Sequence, residues 1–132
     1  MPPGTLTPYV QIRKQFKFEA AHVLPHHTGK CARLHGHSYR VDVAVGGSLQ
    51  AAGPATGMVV DFDELSAIVE PHVVARLDHS SLNELLPNPT AEHLALWIWS
   101  ELAPRLPQLD EIVVWETATA CAVVRADDAR HR

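Results

Sequence analysis

Cysteine is scarce in this chain, with two residues in 132, and so are methionine, also with two, and aromatic side chains at 6%. Two cysteines cannot build the disulfide framework of a small secreted module. Long apolar runs are missing as well: no stretch approaches the ~18 continuous residues of a membrane-spanning helix. Met1 to Pro8 lacks the charged and apolar blocks of a signal peptide, so the cytoplasm is the expected location, where Cys31 and Cys121 stay reduced. Nor is there an excess of positive charge. Lys and Arg number 11 against 15 Asp and Glu, a formal net charge of -4, and the basic residues are scattered rather than striped. That argues against a nucleic-acid partner and for a small substrate. No internal repeat, heptad pattern or low-complexity segment is visible.

What remains is the composition of an ordinary globular domain, 46% hydrophobic and 20% charged. The length suits one domain, placed at residues 9–127, with a proline-containing leader at 1–8 and a short tail at 128–132. Ile12, Phe16, Phe18, Ala20 and His22 share one face of a first strand, and Tyr39, Val41, Val43 and Val45 one face of a second. The Gly, Ala and Pro of residues 46–57 read as a loop leading to a short strand at Met58-Val59-Val60. Asp61 reads as a helix N-cap, with Leu65, Ile68, Val69, Val73 and Leu77 following at helical spacing and Pro71 kinking or dividing the helix. A second helix is expected from Asn88-Pro89-Thr90, carrying Leu94, Trp97, Ile98 and Leu102 inward and stopping by Pro104. Two strands close the chain, residues 111–117 and 120–125; Cys121, in the apolar run Ala120 to Val124, is expected to be packed. The order β, β, β, α, α, β, β indicates an α+β domain with an antiparallel sheet and both helices on one face. The other sheet face, Gln11, Arg13, Gln15, Lys17, Glu19, Ser38, Arg40 and Asp42, is too polar for a core yet fits the wet lumen of a barrel built by several subunits.

Chemistry concentrates around His35-Gly36-His37. Two positions apart on a strand, the rings leave the same face with alpha carbons roughly 6.5 to 7 Å apart, close enough to reach one ion. His22 ends the apolar face of the first strand, and antiparallel pairing across residues 23–34 brings it beside the other two. Three neutral nitrogens with a position left for water or substrate are the pattern of a catalytic zinc; the alternative is surface or capping histidines. Cys31 stands four residues before His35. Asp78-His79 ends the first helix, either as one half of a proton-transfer unit or as a helix-terminal histidine favoured by the dipole. Glu116 projects a carboxylate where the face of Ile112 and Val114 leads one to expect an apolar side chain; a ligand with two neighbouring N–H donors would satisfy it, as would solvent. Lys17, Lys30 and Arg33 are the basic residues closest in sequence to the histidines, available to an anionic substrate or simply solvated.

Phe18-Glu19-Ala20-Ala21-His22, Cys31-Ala32-Arg33-Leu34-His35-Gly36-His37, Thr56-Gly57-Met58-Val59-Val60-Asp61-Phe62, Leu77-Asp78-His79, Asn88-Pro89-Thr90-Ala91-Glu92 and Trp115-Glu116-Thr117 together resemble the 6-pyruvoyltetrahydropterin synthase superfamily, most of all its carboxy-forming bacterial branch in the queuosine pathway. The resemblance spans residues 16–125. It implies Zn2+ on His22, His35 and His37, a catalytic thiol at Cys31 and a catalytic pair at Asp78 and His79. It further implies a pterin-anchoring Glu116, with Thr90 and Glu92 lining the pterin pocket from a neighbouring subunit. The implied fold is the tunnelling fold (T-fold), a barrel of trimers pairing into a homohexamer, with Asp78 and His79 serving the Cys31 of another chain. The implied reaction is the lyase conversion of 7,8-dihydroneopterin triphosphate to 6-carboxy-5,6,7,8-tetrahydropterin, acetaldehyde and triphosphate, for queuosine or another 7-deazapurine. The alternatives are a pyruvoyl-forming synthase and a zinc- or pterin-binding protein without turnover. Three residues between Cys31 and His35 resemble the carboxy-forming spacing.

Overall fold

The computed structural model describes residues 8–129. Nearly all of the expected leader, and residues 130–132 of the tail, lie outside the described residues. Strand β1, Val10–His22, pairs antiparallel with an equally long β2, His35–Gly47, in unbroken register from Val10 opposite Gly47 to His22 opposite His35. Strands β4, Leu109–Trp115, and β5, Cys121–Arg125, extend the sheet beyond β2, again antiparallel. Alternation decides which side is covered: Phe16, Phe18, Tyr39, Val41, Val43, Ile112 and Val114 are buried, while the residues between them on β1 face outward. A slip of one residue would turn every one of these side chains to the wrong face, so register is strongly fixed.

Both helices lie on the apolar face. Helix α1, Phe62–Val69, starts where the Asp61 carboxylate accepts the Asp63 N–H at 2.7 Å. It continues through a π-helical turn, Glu70–Val74, into Ala75–Leu77. Pro71 lies in that widened turn. Proline has no N–H to give the preceding turn, and the wider ladder accommodates it without ending the helix. Leu65, Val69, Val73 and Leu77 are fully buried along one stripe. Helix α2, Ala91–Leu102, is capped by Thr90, whose Oγ1 accepts the His93 N–H at 3.1 Å. It buries Leu94, Ala95, Ile98 and Leu102 and ends before Pro104. Trp97, expected inward, is half-buried, its ring covered by the Arg76 guanidinium 4.8 Å from the ring centroid.

Three expectations are corrected. Met58-Val59-Val60 forms no strand: Val59 is buried, but the hydrogen bonds of this stretch return to Gln50, from Gln50 N to the Met58 carbonyl and from Gly57 N to the Gln50 carbonyl. The third strand is instead β3, Ser80–Ser81, which pairs with Ala20 and Ala21 in parallel, giving the order β3-β1-β2-β4-β5. Cys121 is exposed, because neither helix covers the outward face of the short edge strand β5. A last helix, α3, Ala126–Ala129, takes in the first two residues of the expected tail. No helix among the described residues is long and apolar enough to cross a membrane.

Candidate active site

The β1–β2 register puts His22 directly opposite His35 and Ala20 opposite His37. Three imidazoles therefore converge at the end of the apolar face, with ring centroids 4.5, 5.1 and 5.0 Å apart and one nitrogen from each lying within 4.8 Å of the others. Hydrogen bonds fix the tautomers of two of them. His22 Nδ1 donates to the Pro89 carbonyl at 2.8 Å, and His35 Nδ1 to the Arg33 carbonyl at 2.7 Å. A carbonyl only accepts, so each Nδ1 carries the proton and, on a neutral ring, each Nε2 presents a lone pair. The two Nε2 atoms face one another at 2.9 Å. His37 Nε2 is buried with no hydrogen-bond partner. Two opposed lone pairs and an orphaned third are what a cation would satisfy; nitrogens about 2 Å from a tetrahedral ion lie roughly 3.3 Å apart, within reach of small ring movements. The donor set therefore fits a metal with three nitrogen ligands and an open position. Burial holds the His37 pKa below the ordinary imidazole value; Glu116 opposes this, and His22 and His35 add to it. Behind the triad the buried Tyr39 hydroxyl lies 3.3 Å from His22 Nδ1, its pKa pushed up by burial and then by Glu116.

Glu116 connects the triad to a cleft. It stands one residue beyond β4, its N–H held by the Ala120 carbonyl, with its carboxylate 3.6 Å from His37 Nε2. The cleft, about 610 Å³, is lined by Thr90, Glu92, Glu116, Cys121 and Leu24 among others. All three expected substrate residues, Thr90, Glu92 and Glu116, thus border one cavity of this chain. Leu24 also receives the Cys31 loop, its N–H bonding the Cys31 carbonyl at 3.0 Å. Cys31 itself is half-buried in a 3-10 turn, Lys30–Ala32.

A family model described as 6-pyruvoyl tetrahydropterin synthase matches residues 11–127. The chain belongs to the 6-pyruvoyl tetrahydropterin synthase family. It is 49% identical over 115 residues to a 6-carboxy-5,6,7,8-tetrahydropterin synthase from Synechocystis, covering 84% of this chain and 89% of that protein. It is 35% identical to the 6-pyruvoyl tetrahydrobiopterin synthase of Poecilia reticulata, covering 75% and 71%. Among solved structures, the 6-pyruvoyl tetrahydropterin synthase of Caenorhabditis elegans superposes with a TM-score of 0.81 at 24% identity, covering 91% of this chain and 97% of that one. The fold is the α+β T-fold of that family.

Asp78 and His79, the other pair implied by the family resemblance, sit apart from Cys31: among the described residues no hydrogen bond or ion pair joins them. Their segment straps the outer edge of β1. Asp78 accepts the Glu19 N–H at 2.9 Å, His79 N–H bonds the Glu19 carbonyl, and Ser80–Ser81 then forms β3. The Glu19 N–H is the main reason the Asp78 carboxyl lies below its usual pKa, with the His79 ring assisting. His79 adopts a left-handed backbone, φ 57°, with its side chain 80% exposed and Nδ1 3.1 Å from Asp78. Neither the Pro89 and Arg33 carbonyls nor Asn83 stand out in the sequence. The Asn83 amide accepts the Val23 N–H at 2.8 Å and donates to the Val23 carbonyl at 2.9 Å, pinning the chain between His22 and the Cys31 loop. A backbone carbonyl has no sequence signature, and Asn83 could be read only as a loop residue.

Proposed function

We propose that the chain is a zinc-dependent 6-carboxytetrahydropterin synthase. It would convert 7,8-dihydroneopterin triphosphate and water to 6-carboxy-5,6,7,8-tetrahydropterin, acetaldehyde and triphosphate, for queuosine or another 7-deazapurine. The observation that carries the reading is the continuity of three inward-facing imidazoles with a cleft bordered by Glu116, Glu92 and Thr90. A pterin fills such a cleft while its dihydroxypropyl side chain reaches the triad. In this reading His22, His35 and His37 hold Zn2+. Bound zinc would supply Lewis acidity, drawing electron density from the side-chain hydroxyls and making their protons and those on adjacent carbons easier to remove. Glu116 takes paired hydrogen bonds from the pterin amino group and ring N–H. Thr90 and Glu92 border the ring's other side. Cys31, as thiolate, removes the proton. Asp78, kept ionised by the Glu19 N–H, orients His79 to carry the proton onward. No external redox cofactor is required, because the ring gains the electrons the side chain loses.

The assembly proposed is a cytoplasmic homohexamer of paired trimers. Two open sheet edges support it: β3 covers only Ala20 and Ala21 of β1, and β5 has one neighbour. The pyruvoyl-forming reaction is the second reading, favoured by the Poecilia relative; the higher identity to the Synechocystis protein and the three-residue gap between Cys31 and His35 favour the carboxy product. Incubation with dihydroneopterin triphosphate decides it. Acetaldehyde together with the 6-carboxy pterin is the expected result, and a pyruvoyl product without acetaldehyde would reject the carboxy assignment.

A further inference from the structure

Among the described residues, the segment between the first two histidines of the triad is the one place near the site where positive charge is left uncompensated. Residues 23–34 read Val-Leu-Pro-His-His-Thr-Gly-Lys-Cys-Ala-Arg-Leu, with no Asp or Glu, in a chain whose net charge is -4. Elsewhere the described cations are occupied. Arg13 and Arg125 pair with Glu111, Arg76 and Arg105 with Glu101, Lys14 donates to Ser66 at 2.6 Å, and Arg40 stacks on Trp115. Lys17, Lys30 and Arg33 alone, among the described residues, have no recorded hydrogen bond, ion pair or ring contact from their side chains. Lys17 pairs across from Arg40 on the outward face of the sheet, away from the triad. Lys30 and Arg33 remain, both exposed and flanking Cys31.

Their position follows from backbone bonds already described. The Cys31 carbonyl is tied to Leu24, a residue of the cleft wall, and the Arg33 carbonyl to His35 of the triad. The turn bearing both cations therefore stands where the cleft meets the triad. The rest follows from the substrate's linear order. A pterin at Glu116 puts its side-chain hydroxyls at the triad, and whatever is esterified to the last carbon must emerge past Cys31.

We propose that Lys30 and Arg33 form the triphosphate subsite of this enzyme, an inference that rests on the pterin triphosphate reading above. A net-negative surface repels a polyanion, so productive binding requires local cations whose charge is not already spent. Arg33 offers a planar fork suited to two phosphate oxygens, and Lys30 a mobile point charge. Flexible and solvated when empty, they would order on the ligand. Their contribution would weaken with ionic strength, as exposed pairs do.

The test uses zinc-loaded protein and inorganic tripolyphosphate as probe, with binding measured calorimetrically for the wild type, Lys30→Ala/Arg33→Ala and the charge-keeping Lys30→Arg/Arg33→Lys. Dihydroneopterin, which lacks phosphate, serves as the second ligand. Expected is saturable tripolyphosphate binding by the wild type, about tenfold or more weaker in the double alanine variant and retained in the charge-keeping one. Dihydroneopterin affinity and zinc content should be unchanged in all three, which also shows that the site is intact. Equal tripolyphosphate affinity in the wild type and the double alanine variant, or none in the wild type, overturns the subsite. Because the probe does not react, failure of the reaction reading is read separately: the wild type would bind tripolyphosphate through these cations yet leave dihydroneopterin triphosphate unchanged.

Discussion

Replacing His37 by leucine should reverse its effect on stability according to whether metal is present. His37 continues the apolar face of Tyr39, Val41 and Val43, and its Nε2 is buried without a hydrogen-bond partner. Its lowered pKa keeps the ring neutral near pH 7, so the metal-free protein bears the cost of a desolvated neutral nitrogen rather than of a charge. An unsatisfied buried polar group costs about 1–3 kcal/mol, and with 18% of the side chain exposed the lower end applies. Leucine has similar volume and no polar atom. The metal-free variant should therefore be more stable than the wild type by about 1 kcal/mol, roughly 3–5 °C in midpoint for a chain of this size. Zinc at a hundred times its dissociation constant adds about 2.7 kcal/mol to the wild type, whereas two remaining imidazoles retain little of that. The order should then invert, with the wild type ahead by about 1.5 kcal/mol. Thermal melts of both proteins, with chelator and with zinc, at one fixed protomer concentration, check this. The same ranking under both conditions would refute the claim that the nitrogen is kept unsatisfied for a metal.

Asp78 sets an acid limb. Its folded-state pKa lies below the ordinary 3.8, so its contribution is fully present above that value and is lost as pH falls through the folded pKa; Asp78→Asn should flatten stability below about pH 4, and an unchanged acid limb in melts from pH 5 to 2 would contradict this. Cys31→Ala should lower turnover by a factor of about a hundred or more with zinc content intact; joint loss of zinc would instead make Cys31 a fourth ligand. Asn83→Ala removes two hydrogen bonds to Val23 and should cost about 2 kcal/mol in denaturant unfolding, together with faster zinc loss to a chelator, since His22 precedes Val23. A loss below about 0.5 kcal/mol with unchanged zinc release would show that the clamp does not position the site.

Period-two alternation made the triad legible. Phe16, Phe18, Ala20 and His22 had to share a face, as did His37, Tyr39, Val41 and Val43, so pairing the two strands brought the histidines together before any coordinate was known. Glu116 was legible for the same reason, a carboxylate in phase with Ile112 and Val114. Where the rule failed, hydrogen bonding decided against pattern. Met58-Val59-Val60 has strand composition, but the Met58 N–H bonds the Ala55 carbonyl and the Met58 and Val59 carbonyls accept from Gln50, so the stretch is held within its own loop rather than along a neighbouring strand. Ser80–Ser81 has no strand composition, yet Asp78 grips β1 at Glu19 and Asn83 grips Val23 just past its end, one on either side of the pair. Two residues are too few to carry a periodic signal. Cys121 misled because an apolar run predicts burial only on the face that something covers, and both helices pack on the other face of the sheet, the one that buries Val124 of β5.

The same strap bears on the proposed roles of Asp78 and His79. Asp78 spends one oxygen on the Glu19 N–H and the other on His79 Nδ1, so the pair is built as a rigid outward projection. A non-glycine residue in the left-handed region carries a backbone cost, which the His79 N–H recovers in part at the Glu19 carbonyl. That device points an exposed ring away from the outer edge of β1, while Cys31 is held against Leu24 near the cleft. If Asp78 and His79 serve the Cys31 of another subunit, Cys31→Ala and His79→Ala are complementary defects. Each is inactive alone. In oligomers reassembled from an equal mixture, a site that draws Cys31 from a His79→Ala chain and the Asp78–His79 pair from a Cys31→Ala chain is fully wild type. Random assembly makes roughly a quarter of the sites so. Recovery of about a quarter of wild-type turnover after joint unfolding and reassembly is the expected result. Activity no higher than that of the two variants measured separately would place Cys31, Asp78 and His79 in one chain and refute the shared site.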